Sequence, residues 1–310
     1  NISIDIEDLS TEEILEIKDG TEIRTIPVGS EEYKHYLKHL EQQEHFFEWL
    51  LFMHPEQETY VQQDYSGPVL LSGVSGSGKT CIAVKRAIRL AQRYPGETIG
   101  VVTLNRSLAG LIRELVMYAS PDEYKAQIEV ISFFELCQNL LKDLEPKRTK
   151  YYSDVTWGLE EHIDEVFREF YRCGANNLDA AILRPSHSAL IAQGIDGERY
   201  LRQEFDWLRS ALHYSERKDY LKIERVGRVF PIRENRRVEI LNGLACWEKK
   251  MEAVGIIDYL GLTTAVGRHK EKIKPKYRSL IVDEAQDLGT TELSLLRKLV
   301  PKDENDIFLC

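Results

Sequence analysis

Short apolar runs alternate with longer segments of mixed polarity in two parts of the chain. Runs of about four to eight apolar residues between polar turns are typical of strands that are covered on both faces. Such runs occupy 68–72, 98–104, 128–133, 279–282 and 306–310. Apolar residues that recur at helical spacing predict helices over 31–53, 79–93, 108–118, 134–144 and 291–299. Strands that alternate with helices predict an α/β fold with a doubly wound parallel sheet.

The alternation stops between about residues 146 and 248. This segment has mostly helical patterns and no clear buried strand, so we predict a mainly helical subdomain of 146–248 inserted into one α/β domain of 48–145 and 249–310. We predict an acidic linker and helix over 1–47, because its first 30 residues are acidic and are interrupted by the breakers KDG and PVGS.

Acidic residues are concentrated at one end of the chain. The net charge is −10, and residues 1–60 hold 15 acids against 4 bases, whereas the other 250 residues hold 36 acids and 37 bases. A negative net charge disfavours nucleic acid as a partner, but phosphate binding depends on local charge. A basic groove in the main body of the chain therefore stays compatible with the composition.

The spacing of the cysteines and the length of the apolar runs argue against several classes of protein. The five cysteines are scattered without a CxxC pair, which argues against a structural zinc site or a disulfide framework and favours a reducing cytoplasm. We find no run of about 18 apolar residues, so we expect no membrane span.

The strongest chemical motif is GVSGSGKT, which follows a predicted strand and opens a predicted helix. It fits G-x-x-x-x-G-K-[ST] in full, the pattern of a P-loop or Walker A motif. Its backbone N–H groups and the positive helix N-terminus would bind nucleotide phosphates, Lys79 would reach the β- and γ-phosphates, and the Thr80 hydroxyl would bind Mg²⁺. The predicted nucleotide-binding residues of the motif are Gly73, Ser75, Gly76, Ser77, Gly78, Lys79 and Thr80.

A second motif, SLIVDEAQDL, places carboxylates at the end of a buried strand. Asp283 is a good Walker B acid for the metal, and Glu284 is the candidate base that orients or activates the attacking water. Adjacent residues that leave a strand point in different directions, so the two acids can serve different partners. Gln286 is a candidate contact for the γ-phosphate.

In this context DEAQD resembles the second helicase motif of the UvrD/Rep-type superfamily 1 helicases. The resemblance covers roughly residues 48–310 and implies a RecA-like P-loop NTPase fold. Gln57, in HPEQ, matches the glutamine that reads adenine in that family, and Lys85 and Arg86 match its basic pair, from which we take Arg86 as a nucleotide-binding candidate.

The resemblance also implies contacts with single-stranded DNA. Thr103 and Asn105, in VVTLNRSLAGLI, match motif Ia, and Ser132 and Phe134 match a T-x-H motif in which an aromatic ring could stack on a base. The family inserts a DNA-binding subdomain before DEAQD. Within it, Arg217–Arg237 carries eight bases against three acids. This run is either a backbone-tracking patch that includes Arg225 and Arg228 or a solvated, ion-paired face.

The implied function is an ATP-dependent DNA helicase or translocase that uses Mg²⁺ and moves on single-stranded DNA or at DNA junctions. In the family, a second RecA-like domain and its arginine fingers follow this segment. We therefore expect these 310 residues alone to bind ATP but to hydrolyse it poorly and not to unwind. The acidic N-terminal segment resembles that of helicases in which the motor follows an extra domain, which implies an upstream effector.

An alternative is a P-loop ATPase that acts as a nucleotide-gated switch for a fused or bound effector, without processive unwinding. The Phe134 departure from T-x-H and the implied upstream domain favour it slightly. A small-molecule kinase is disfavoured by DEAQD and Gln57. Stimulation of ATP hydrolysis by nucleic acid and separation of duplex strands would discriminate between helicase and switch.

Overall fold

The computed structural model describes residues 14–19, 22–27, 46–153, 157–172, 181–228 and 230–310. The chain divides into two compact units, Asn1–Tyr60 and Val61–Cys310.

The first unit contains a β-hairpin. Strand β1, Ile14–Asp19, pairs antiparallel with β2, Glu22–Pro27, and Asp19 lies opposite Glu22. The sequence predicts only a linker here, but isoleucines on both sides of a DG turn signal are a hairpin pattern that the surrounding acids obscure. Of the helix predicted over 31–53, the structure describes the end, with α1 at Phe46–Leu50; residues 31–45 lie outside the described residues.

The second unit contains a sheet of five parallel strands, as the sequence predicts. The strands are β3 Val69–Leu70, β4 Ile99–Thr103, β5 Ile128–Ser132, β6 Ser279–Val282 and β7 Ile307–Leu309. Their order across the sheet is β3-β7-β6-β4-β5, and every pairing is parallel. All carboxyl ends therefore lie at one edge, where the loops after β3, β4, β5 and β6 emerge.

Helices cover both faces of this sheet. They are α3 Lys79–Arg93, α4 Arg106–Ala119, α5 Asp122–Lys125, α6 Phe133–Leu144, α12 Tyr259–Gly267 and α13 Thr290–Lys298. The helix α2, Pro55–Gln62, precedes them in the chain and spans the boundary between the two units. On one face, Val102, Ile131, Leu280 and Val282 join a buried cluster with α6, α12 and α13. Alternate strand residues face the other way, toward α3 and α4, which contact β4 and β5. The doubly wound α/β prediction is confirmed.

The described residues between α6 and α12 form helices joined by turns and irregular segments, with no strand. This segment contains α7 Thr149–Ser153, α8 Trp157–Arg172, α9 Arg184–Ile191, α10 Gly197–Ala211 and α11 Glu234–Val254. Its apolar side chains form a buried cluster of their own, in which Phe167, Phe170 and Trp247 pack ring against ring. A separate core is what a folded inserted subdomain requires.

The end of α10 packs tightly against the sheet portion of the chain. The buried guanidinium of Arg209 donates to both oxygens of Asp258, at 2.8 and 2.6 Å. His213 contacts Ser294 on α13. A Cβ atom at Gly289 would lie 2.1 Å from Oγ of Ser210, so only glycine permits this approach. The helical segment is thus fixed to the residues that immediately follow DEAQD.

Candidate nucleotide site

The loop between β3 and α3 has a backbone that only its glycines adopt easily. Gly76 has φ of 78° and Gly78 has φ of 77°, both in the left-handed region. A Cβ at Gly73 would lie 2.8 Å from Oγ of Ser77. Three glycines of the predicted motif are therefore needed for the shape of the loop, and the exposed Ser75 lies between two of them.

The side chain of Lys79 reaches back to the start of this loop. Its Nζ donates to the carbonyl oxygens of Gly73, at 3.1 Å, and Val74, at 3.0 Å. Lys79 is also the first residue of α3, whose N-cap Gly78 has no side chain to accept from the first turn. The positive end of a 15-residue helix and one ammonium group therefore converge on the loop, which suits the binding of phosphate.

Thr80 and Asp283 meet where the loop approaches the end of β6. The Thr80 hydroxyl donates to Oδ2 of Asp283 at 2.8 Å. Asp283 is 1% exposed. Burial raises the pKa of its carboxyl, and the nearby Glu284 charge adds to this, while hydrogen bonds from Thr80 and Cys310 act in the opposite direction. The two residues predicted to bind the metal are therefore neighbours.

Glu284 follows in an unusual backbone conformation. Its φ of 55° places a non-glycine residue in the left-handed region, which costs about 1–2 kcal/mol. The conformation turns the chain sharply after β6, and Nε2 of Gln286 donates to the Glu284 carboxylate. The strain sits at the residue predicted to act as base, where strained backbone is typical of functional sites.

Cys310, at the end of β7, completes the surroundings of Asp283. Its Sγ lies 3.5 Å from Oδ1 of Asp283 and 3.5 Å from the carbonyl oxygen of Val282. Burial, followed by the Asp283 charge, raises the pKa of this thiol well above its ordinary value. Sequence reasoning did not single out Cys310, because only the pairing of β7 with β6 brings it to the acid.

The residues at this point fit a magnesium ion. A hydroxyl and a carboxylate supply the hard oxygen ligands that Mg²⁺ prefers, and Mg²⁺ characteristically uses one or two such groups together with substrate phosphates. Among the ion pairs of the described residues, none neutralises Asp283. The same residues contain no group of three or more His, Cys, Asp or Glu side chains that could bind a metal without a substrate.

Arg86 does not have the position expected of a nucleotide ligand. It is 1% exposed, and its guanidinium donates to the carbonyls of Val61 and Gln63 and to Oδ1 of Asn305. Burial lowers its pKa to about 10. The side chain thus joins the residues before β3 to the turn before β7, which is a structural role, and its predicted contact with the nucleotide stays a prediction.

Gln57 lies in the first turn of α2. Its Oε1 accepts from the backbone N–H of His54 at 2.8 Å, the reciprocal half of a capping box. The motif HPEQ therefore has a local structural role as a helix start. Its predicted contact with adenine remains a prediction.

The candidates for nucleic-acid contact at the ends of β4 and β5 differ in accessibility. Thr103 pairs with Ser132 across the two strands, and both side chains are fully buried. Oγ of Ser132 caps α6 by accepting from Glu135, and the exposed Asn105 caps α4 by accepting from Ser107. The two hydroxyls face the interior, so Asn105 is the accessible polar member of this set.

Phe134 lies at the same edge of the sheet. Its half-buried ring stacks on Tyr259, with centroids 4.2 Å apart and planes at 27°. Tyr259 begins α12 and was not predicted as a site residue, since nothing in its local sequence marks it. Phe134 and Asn105 each follow by two residues the paired positions that end β5 and β4, so both lie at this edge of the sheet.

Arg225 and Arg228 both bind one buried carboxylate, that of Glu204 on α10. Arg225 donates to both Glu204 oxygens at 2.6 Å, and Arg228 donates to Oε2 at 2.9 Å. Arg225 is 7% exposed. Burial opposes charge on Glu204, but the hydrogen bonds of Arg225 and Tyr220 and the two arginine charges outweigh it, so its pKa lies below the ordinary value. Arg225 is therefore buried and Arg228 half-buried in one ion-paired cluster, which favours the ion-paired alternative, and their predicted contact with nucleic acid stays a prediction.

Within the part of the chain that the structure describes, no helix is both long and apolar enough to cross a membrane.

The chain matches a family of known proteins. Residues 53–310 match the family described as the UvrD/REP helicase N-terminal domain, a range that contains both the P-loop and DEAQD. No curated protein matches the chain.

Proposed function

Because this chain belongs to the UvrD/REP helicase N-terminal domain family, we propose that it is the ATP-binding half of a motor that couples ATP hydrolysis to movement on single-stranded DNA. The observation that carries this proposal is the 2.8 Å contact between Thr80 and Asp283. It joins the phosphate-binding loop to the acids after β6, which is the arrangement that phosphoryl chemistry on a nucleotide requires.

The proposed chemistry divides between the two motifs. The backbone of the loop and Lys79 would bind the phosphates, and Thr80 and Asp283 would hold Mg²⁺, which would supply positive charge to offset that of the phosphates. Glu284 accepts a proton from the attacking water, and Gln286, which already contacts Glu284, orients that carboxylate or meets the γ-phosphate. Gln57 remains the proposed contact for adenine on the strength of the family resemblance.

For nucleic acid we propose the carboxyl edge of β4 and β5. The ring pair Phe134–Tyr259 supplies a face on which a base can stack, and the exposed Asn105 supplies polar groups for the backbone. Stacking does not depend on the base, so this edge suits binding without sequence preference. Support for DNA rather than RNA comes from the family resemblance alone. The proposed location is the cytoplasm, on the basis of the scattered cysteines without a CxxC pair.

The alternative is a nucleotide-gated switch for a bound or fused effector. One observation favours it: Arg225 and Arg228 in the helical segment are bound internally to Glu204. This reduces the positive charge that the segment offers to a phosphate backbone. A switch would hydrolyse ATP at a rate indifferent to nucleic acid.

The test is ATP hydrolysis by the full-length parent protein without nucleic acid, with single-stranded DNA and with single-stranded RNA. We expect DNA to raise the rate at least about tenfold, and Glu284→Gln to lower the stimulated rate by about 100-fold or more. A rate that neither polymer changes would support the switch. We propose that residues 1–310 alone bind ATP but turn it over slowly, because in the family the transition-state arginines belong to a second domain.

A further inference from the structure

The carboxylate of Asp283 is approached on both oxygens, by one residue in the first turn of α3 and by one that directly follows β7. Thr80 donates to Oδ2, and the thiol of Cys310 lies 3.5 Å from Oδ1. We propose that Cys310 is a positioning residue for Asp283. Its S–H donates to Oδ1 and fixes the orientation in which the carboxylate faces the divalent cation of the bound nucleotide. This inference rests on the proposed function, because it assigns that cation to Asp283.

Two backbone hydrogen bonds hold Cys310 against residues that precede and follow Asp283 in the chain. Its N–H donates to the carbonyl of Val282 at 2.9 Å, and its carbonyl accepts from the N–H of Ala285 at 2.8 Å. These bonds continue the β6–β7 pairing past the ends of both strands and bracket Asp283 between Val282 and Ala285. These bonds fix the main chain of Cys310 beside the acid, so only rotation of its side chain could move the thiol away from the carboxylate.

The direction of the S–H follows from the acceptors within reach. Sγ has two, the Val282 carbonyl and the Asp283 carboxylate, each at 3.5 Å. A charged acceptor forms the stronger hydrogen bond. Cys310 is 2% exposed and Asp283 1% exposed, so water does not compete freely for either group. The thiol hydrogen therefore belongs on Oδ1, which leaves Oδ2 to Thr80.

The competing interpretation is that Cys310 only fills space, as buried free cysteines usually do. The two interpretations differ in what substitution changes. A space-filling residue affects the stability of the fold, whereas a positioning residue affects the cation. Replacement by alanine removes the donor with a small loss of volume, and replacement by serine keeps a donor on a side chain of similar size.

The first measurement uses the full-length parent protein with Cys310→Ala and Cys310→Ser. Binding of a fluorescent ATP analogue is titrated with Mg²⁺. We expect the Mg²⁺ concentration for half-maximal binding to rise about fivefold in the alanine variant, the effect of one ordinary hydrogen bond, and to return to within about twofold in the serine variant. An alanine variant that melts at a lower temperature but keeps the original Mg²⁺ dependence would overturn the proposal.

The second measurement needs no nucleotide. The infrared S–H stretching band of Cys310 is isolated by subtracting the spectrum of Cys310→Ala, and is then recorded in Asp283→Asn. We expect a band displaced as in a hydrogen-bonded thiol and a further displacement in Asp283→Asn, where the acceptor loses its charge. A band that Asp283→Asn leaves in place would overturn the thiol–carboxylate bond. A bonded thiol in a protein that binds no Mg²⁺-nucleotide would instead overturn the proposed function and the cation assignment.

Discussion

Thr80 and Asp283 are 203 positions apart in the chain, and the hydroxyl of the first donates to the carboxylate of the second across 2.8 Å. Strand order explains the meeting, because β7 alone separates β3 from β6 in the sheet and both loops leave the same edge. Two motifs that the sequence identifies separately are therefore parts of one site.

This contact predicts that the two residues act together on the metal. Thr80→Val and Asp283→Asn should each weaken Mg²⁺-dependent binding of ATP. The double variant should lose less than the sum of the single losses, with a coupling of about 0.5–3 kcal/mol. The measurement is a double-mutant cycle on the affinity for ATP at fixed Mg²⁺, and strictly additive losses would contradict a shared site.

The backbone at Glu284 predicts an opposite effect on stability and on activity. Glu284→Gly should relieve the left-handed strain and raise the free energy of unfolding by about 0.5–1 kcal/mol, after allowance for the greater freedom of glycine in the unfolded chain. The same change should abolish ATP turnover, because the candidate base is lost.

Glu284→Gln is the matched control for that experiment. It should leave the urea unfolding midpoint near that of the parent, since a side chain remains at φ 55°, and it should also abolish turnover. Equal unfolding midpoints for the glycine and glutamine variants would show that the left-handed conformation stores no strain.

Glu204 predicts a pH dependence of stability. Its folded pKa lies below the ordinary value of 4.5, so the charged carboxylate stabilises the folded state above that pH. The contribution is lost as the pH falls from about 4.5 through the lowered folded pKa. Glu204→Gln should reduce stability by about 3–5 kcal/mol at neutral pH, because it leaves two arginines without their buried partner.

Melting temperatures from pH 7 to pH 3 check this prediction. The parent should lose more stability over the acidic range than Glu204→Gln, since the variant has no carboxyl to protonate there. If both proteins lost equal stability on acidification, the Glu204 carboxylate would not be the group responsible.

The Phe134–Tyr259 pair predicts a stacking contribution to nucleic-acid affinity. Phe134→Leu keeps an apolar side chain against α12 and removes the ring. It should therefore reduce affinity for single-stranded DNA by about fivefold to 100-fold, or about 1–3 kcal/mol. Phe134→Trp should retain affinity. Fluorescence anisotropy of a labelled oligonucleotide provides the measurement, and a leucine variant with parental affinity would exclude this edge as a stacking surface.

The parts of the fold that depend on local pattern are predictable from the sequence. The helix predicted over 79–93 is observed as Lys79–Arg93, and the strand predicted over 98–104 is observed as Ile99–Thr103. The helix α4 begins two residues before its predicted start, because Asn105 is its N-cap. An asparagine directly before a helical pattern is an N-cap signal that the sequence contains. The positions of the loop glycines are also predictable, because the P-loop motif places glycine where the backbone has a positive φ, as at Gly76 and Gly78.

The partners of charged side chains were not predictable. Arg225 is surrounded in the sequence by other basic residues. Its carboxylate partner, Glu204, lies 21 positions earlier, on α10. Arg86 likewise contacts Asn305 from 219 positions away. A charge count along the chain records how many bases a segment has, but only the packing of helices decides which of them reach solvent.

Gly289 lies so close to Ser210 that a Cβ atom added there would come within 2.1 Å of the serine Oγ. The end of α10 is also joined to the residue before α12 by the buried pair of Arg209 and Asp258. A larger side chain at position 289 would therefore disturb two places at once, the end of α10 and the chain just beyond the acids.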